Sequence, residues 1–295
     1  MKRIVVFGSI SYDRTLHLPR IPEAGQGLMA SAVTHSVGGK GANVAVAAVR
    51  AGGHAALVSA VGHDGDRALQ ELDVAGVDTR WVERRSDVAT AEVLIHLATD
   101  QREFGITVPG ADRHVERRTM QAAIDTFRGG SIGYLDGMVN DGAFVIEAMA
   151  ARGAPLVINP SPLHPDVEAW PMQRATVIVM NQDEARRLTN REDPAHQLDG
   201  LRQRYPGPAF VLTRGSEGAW WCRGEERVHV PATPVAAIDS TAAGDTFAGY
   251  FLAGVAAGEQ PVQAMRIAAQ AASICVTRHG SLHSIPTLAE VRRSG

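Results

Sequence analysis

The sequence predicts an α/β protein: a three-layer α/β/α sandwich with a mostly parallel central sheet and a small β-sheet lid. Three observations carry this. From residue 114 onward, short apolar runs alternate with helical patterns, as parallel strands joined by crossover helices require. Residues 14–36 and 90–108 break that alternation. Two long helical patterns, 243–258 and 261–277, follow.

Taken in order, the β-branched run from Ile4 to Ile10, ended by Gly8-Ser9, reads as a buried first strand. Residues 14–36 are mixed, rich in Pro and Gly, and have no helical period. The Ala/Val run from Ala42 to Ala51 is a helix stopped by Gly52-Gly53. Residues 55–62 read as a strand and 64–76 as an amphipathic helix. Residues 90–108 alternate around a polar turn at Asp100-Gln101, which is a hairpin pattern. Further on, 118–127, 142–153 and 182–189 are helical, 131–136, 155–160 and 175–181 are strands, and 208–231 holds strands joined by Gly turns. There is no repeat, charge run or low-complexity linker, so 1–295 reads as one domain with lid segments at about 11–36 and 87–110.

With 295 residues the chain buries enough surface to need no disulfide or metal staple. Cys222 and Cys275 lie far apart and read as reduced, buried small hydrophobes. A net charge of -3 and only 5% aromatic residues argue against a nucleic-acid partner or an anionic membrane. The first apolar run is too short for a signal peptide, and no run reaches the roughly 18 residues of a membrane span. A cytoplasmic location is expected.

Four motifs carry chemistry. In DSTAAGDTFAGYF (239–251), Ala242, Ala243 and Gly244 precede a long helix, whose N-terminus favours an anion. Asp245 stands at the mouth of that hole. It suits a base that takes a proton from an attacking hydroxyl while N–H groups stabilise a transferring phosphoryl group. It equally suits a helix cap. In GGKGAN (38–43) the glycines allow close backbone approach, Asn43 offers a donor and an acceptor to sugar hydroxyls, and Lys40 can bind sugar or phosphate. This is no Walker A loop, because Gly41 follows Lys40. The alternative is a plain strand-to-helix turn. Asn181 and Glu184 share one face of a helix start, which suits hydrated Mg²⁺ or only the helix dipole. Residues 213–218, with Thr213, Gly215, Ser216 and Gly218, form either a hairpin turn or a nucleotide loop.

Together GSISYD, GGKGANVAVAAVRAGG, MNQDEARRLT, LTRGSEG and DSTAAGDTFAG resemble the ribokinase-like (PfkB) carbohydrate kinase family along essentially the whole chain, most closely its ribokinase branch. The resemblance implies an ATP-dependent phosphotransferase with an alcohol group as acceptor. Asp245 would be the base, with Ala242, Ala243 and Gly244 as the anion hole. Asp13, Gly39, Lys40 and Asn43 would hold the sugar, and Asp136 would fall where the family places a sugar-touching Glu. Asn181 and Glu184 would hold Mg²⁺ through water, and Asn181, Thr213, Gly215, Ser216 and Gly218 the nucleotide. Asp239, Thr241, Cys275, Arg278, Gly280 and Ser284 would supply oxygens to K⁺. Ser11 and Asp136 are shorter than the family's Asn and Glu, which leaves room for a larger acceptor.

The expected reaction moves the γ-phosphoryl group of ATP to a hydroxymethyl group of a small sugar such as ribose. A nucleoside is the near alternative; a sugar phosphate, or sugar binding without catalysis, is less favoured. A homodimer paired through the lid is also expected.

Overall fold

In a computed structural model, which describes residues 3–100 and 102–294, two sheets organise the chain. The strands are β1 (Arg3–Phe7), β2 (Ser11–Leu18), β3 (Ala32–Gly38), β4 (His54–Val61), β5 (Asp78–Arg84), β6 (Ala91–Ala98), β7 (Glu103–Val108), β8 (Ile132–Asp136), β9 (Leu156–Asn159), β10 (Val177–Asn181), β11 (Ala209–Thr213), β12 (Ala219–Arg223) and β13 (Glu226–Val230). The helices are α1 (Lys40–Arg50), α2 (Asp66–Val74), α3 (Arg117–Asp125), α4 (Gly142–Ala151), α5 (Pro165–Glu168), α6 (Gln182–Thr189), α7 (Pro194–Arg204), α8 (Ala243–Ala257), α9 (Pro261–Cys275) and α10 (Leu288–Ser294).

The main sheet has nine strands in the order β13-β12-β11-β10-β9-β8-β1-β4-β5. Pairing is parallel from β11 to β5, and β12 and β13 are added antiparallel. Buried on both faces, β1 divides its apolar side chains with period two. Ile4 and Val6 join the core under α1, α8 and α9, while Val5 and Phe7 join the core under α3, α4, α6 and α7. That is the expected three-layer arrangement.

Helix α8 is apolar nearly all round, as a helix enclosed on every side must be. It lies between α1 and α9. Gly249 permits its approach to α1, since a Cβ there would sit 2.6 Å from the Val44 carbonyl oxygen. This contact brings the N-termini of α1 and α8 to one place.

The small sheet has the order β3-β2-β6-β7. Its β6–β7 pair is the expected hairpin, and β2–β3 supplies order in a stretch where no helical period existed. Along β2, Ser11 and Asp13 point inward and are buried, whereas Arg14 is exposed and pairs with Glu92 on β6 at 2.7 Å. Expectation missed β5, α5, α7 and α10. The edge strand β5 is charged on both faces, which protects an open edge but hides the alternation. Helix α7 does begin with a readable signal: Asp193 accepts the N–H groups of Ala195 and His196 at 3.0 and 3.1 Å, with Pro194 at the first helical position.

Both cysteines are free and buried, as expected. Among the described residues no helix is long and apolar enough to cross a membrane.

Candidate active site

The parallel strands β1, β8, β10 and β11 end on one edge of the main sheet, and the sequence motifs follow those ends, where open α/β sheets bind ligands. Above this edge stand the first turns of α1 and α8 and the inner face of the small sheet.

Asp245 lies in the first turn of α8 and is buried. Its carboxylate turns across to α1, where Oδ2 accepts the Asn43 Nδ2–H at 2.9 Å and Oδ1 lies 3.8 Å from Lys40 Nζ. This favours the chemical reading over the helix cap. The start of α8 has no side-chain cap at all, and the chain turns there at Ala242 with φ +60°. A left-handed alanine costs of order 1–3 kcal/mol and is typically retained at functional sites. The Ala243 N–H leans back on Ser240 O at 3.2 Å. The N–H groups of Gly244 and Asp245 belong to the first helical turn, which has no intrahelical acceptors for them. Gly244 is exposed, and no atom lies within 4 Å of where its Cβ would be.

Donating Nδ2 to Asp245 turns the amide oxygen of Asn43 the other way, and that Oδ1 is buried without a partner. An orphaned buried acceptor costs about 1–3 kcal/mol. A ligand hydroxyl at this position would satisfy it.

Asp13 faces the same space. Ser11 Oγ donates to Asp13 Oδ1 at 2.7 Å, and Ser281 Oγ donates to Asp13 Oδ2. Burial pushes the Asp13 carboxyl up, the two hydroxyl groups pull it back, and nearby Asp245 adds to the rise. For Lys40, burial works against its charge, but the Asp245, Glu184 and Asp136 carboxylates outweigh it and hold the ammonium above its usual range.

The glycines of GGKGAN make room for protein rather than for ligand. A Cβ on Gly38 would collide with the Asp13 carboxylate. Gly39 turns at φ +98° against the Ser9 and Ile10 backbone, and Gly41 abuts Gly8.

Asp136 departs most from expectation. It is fully buried, and its oxygens accept backbone N–H groups from Ser9 at 2.9 Å, Met138 at 2.8 Å and Val139 at 3.3 Å. A carboxylate held by that many donors braces the end of β8 against the Gly8-Ser9 turn. It lies beneath the site instead of lining it.

Asn181 and Glu184 form a capping box at the start of α6: Asn181 Oδ1 accepts Glu184 N–H, and Glu184 Oε2 accepts Asn181 N–H, both at 2.9 Å. The helix-start reading is thus realised, at the strand end where the chemical one requires it. Residues 213–218 join β11 to β12 around a short 3₁₀ turn, closed by Arg214 N–H to Gly218 O at 2.8 Å. Gly215 and Gly218 have φ of +52° and +89°, and a Cβ at Gly218 would strike the Val230 backbone.

The residues expected around K⁺ also converge. Asp239 accepts the N–H groups of Thr241 at 2.9 Å and Gly280 at 2.8 Å. Cys275 Sγ lies 3.1 Å from Ser284 Oγ and 3.7 Å from Thr241 O. Arg278 contributes its backbone beside Cys275 O, and its side chain is drawn off to Glu290 at 2.7 Å. This cluster brings together the Asp239 carboxylate and the carbonyl oxygens of Thr241 and Cys275, hard oxygens of the kind that bind hard cations.

Two site residues, and one buried acid below them, were not anticipated. Ser281 binds Asp13. Ser9 Oγ accepts the Lys40 N–H at 3.1 Å, joining the first strand end to α1. Asp112 is buried near Asp136, with Oδ1 on the Gly110 N–H at 3.1 Å and Oδ2 unpaired.

Residues 1–288 match the family described as pfkB family carbohydrate kinase. The chain is 29% identical to the ribokinase of Bacillus subtilis, covering 99% of this chain and 98% of that one. It is 26% identical to the deoxyribokinase of Salmonella typhimurium, over 97% and 96% of the two chains. The structure superposes with a TM-score of 0.90 on a ribokinase from Cryptococcus neoformans in complex with ADP, at 28% identity and full coverage of both chains.

Proposed function

Since the chain belongs to the pfkB family of carbohydrate kinases, phosphotransferases with an alcohol acceptor, we propose that it transfers the γ-phosphoryl group of ATP to a hydroxymethyl group of a small sugar of the ribose type. The observation that carries this is the meeting of Asn43, Lys40 and Asp245 at two helix N-termini.

The acceptor lies between Asp13 and Asn43, whose orphaned Oδ1 takes one of its hydroxyls. Asp245 accepts the proton of the reacting hydroxyl as its oxygen bonds to the γ-phosphorus. The bond from that phosphorus to the β–γ bridging oxygen breaks, and ADP leaves. The first-turn N–H groups after Ala242 stabilise the charge on the transferring group. Lys40 keeps the Asp245 carboxylate oriented and offsets the incoming phosphate charge. Residues 213–218 cradle the nucleotide. Asn181 and Glu184, whose oxygens are hard, would hold Mg²⁺, which when bound would supply positive charge to offset that of the phosphates. Asp239, Thr241, Cys275, Arg278, Gly280 and Ser284 would hold K⁺, which would help order the neighbouring turn at Ala242.

The small sheet acts as a lid that excludes water, a competing acceptor. Val33 on β3 and Phe104, Ile106 and Val108 on β7 are exposed, which favours pairing of two lids in a homodimer. The whole chain works as one domain.

A nucleoside acceptor is a second reading. It is favoured by the short Ser11 side chain beside Asp13, which leaves room for a larger acceptor. An ATP-consumption screen over pentoses, hexoses, nucleosides and sugar phosphates tests both. Turnover of pentoses alone supports the sugar reading, a preference for nucleosides supports the second, and no turnover of any alcohol overturns both.

A further inference from the structure

Asp13 is a buried acid on the acceptor side, and the protein engages both its oxygens. Ser11 is its near neighbour on β2. Ser281 comes from 268 positions further along the chain, in the loop that follows α9. Ser281 is buried, so its hydroxyl has no competing water. Its own loop is fastened on both sides. Gly280 N–H is held by Asp239 Oδ2 at 2.8 Å, and Ser284 Oγ donates to Ser281 O at 2.7 Å. Arg50 of α1 clamps the same loop, donating to Leu282 O and Ile285 O at 2.6 Å each. Asp239 in turn holds Thr241 N–H, one residue before the strained Ala242 of the anion hole.

We propose that Ser281 is a positioning residue for the acceptor: its hydroxyl fixes the Asp13 carboxylate so that each oxygen keeps a lone pair aimed at the acceptor, and it ties acceptor recognition to the loop beside the anion hole. The proposal rests on the acceptor-site reading above. A carboxylate oxygen accepts about two hydrogen bonds. One serine on each oxygen therefore sets the carboxylate plane and leaves the second position of each free. Without Ser281 one oxygen would be free to rotate toward the loop backbone, and the acceptor would have to order it on binding.

The test is a double-mutant cycle with Ser281→Ala and Asp13→Asn. The probe is D-ribose or, where ribose is not turned over, the acceptor with the highest turnover in the panel. With Asp13 intact, Ser281→Ala is expected to lower kcat/KM for the acceptor about tenfold, almost all of it in KM. Turnover and the KM for ATP stay within twofold. In the Asp13→Asn background the same change is expected to cost less than twofold, because there is no carboxylate left to orient. An equal loss in both backgrounds, or none with Asp13 intact, overturns the proposal. If Asp13→Asn alone leaves kcat/KM unchanged, the acceptor-site reading fails first and the role of Ser281 with it.

Discussion

Asn43 and Asp245, 202 residues apart in the chain, share a 2.9 Å hydrogen bond between the first turns of two packed helices. The bond orients the carboxylate and, by committing the amide nitrogen, leaves the amide oxygen of Asn43 open to an acceptor. Asn43→Ala removes both effects. It is expected to cost about 1–3 kcal/mol in kcat/KM for the acceptor, read by steady-state kinetics, with ATP affinity unchanged.

Asp245→Asn keeps the size of the side chain and removes the base. Turnover is expected to fall about 10²–10⁴-fold, while ATP binding measured by calorimetry stays within a few-fold. Unchanged turnover would remove Asp245 from the chemistry.

Asp136→Glu tests the brace below the site. The longer acid has to fit where Gly8 already touches the carboxylate, 2.5 Å from its own absent Cβ. Overpacking of this kind costs about 1–3 kcal/mol. A lower thermal midpoint with an unchanged ranking of acceptors is expected; a shifted ranking with full stability would return Asp136 to the acceptor wall.

Asp112 links stability to pH. Burial pushes its carboxyl up from 3.8 to about 6, with Asp136 adding to the rise and Arg113 opposing it. The folded protein therefore binds more protons than the unfolded chain between these values, and stability falls as pH rises through that window. Asp112→Asn removes the buried charge but leaves an amide N–H where the unpaired oxygen was, for a net gain of about 1–2 kcal/mol above pH 6. Below about pH 4 the gain should vanish. Thermal melts at pH 4 and pH 8 read the difference, and an equal gain at both would exclude the linkage.

The cation loop predicts activation by K⁺. At fixed ionic strength, rates in K⁺ should exceed those in tetramethylammonium. Equal rates would leave the Asp239–Gly280 bond a purely structural one.

Much of this was legible because the chemistry is local in sequence. The βα alternation fixed the layers, and AAGD marked the start of α8 with an acid in its first turn. Long-range partners were not legible. Nothing in GGKGAN says that Gly38 makes room for Asp13, and nothing in HGSLHS says that Ser281 reaches residue 13. Asp136 shows the same limit from the other side. An acid at a strand end looks like a ligand group until its backbone donors are seen, and those come from residues both near and far in the chain.

The packing of α1 against α8 also has a temporal meaning. Asp245 is synthesised 202 residues after Asn43. At about 5–20 residues per second that interval is about 10–40 s. Throughout it the hydrogen bond that orients the Asp245 carboxylate has only one of its partners. Because α8 is apolar on nearly every side, its surface is covered only where α1 and α9 enclose it. The docking of α8 and the pairing of Asn43 with Asp245 are therefore coupled.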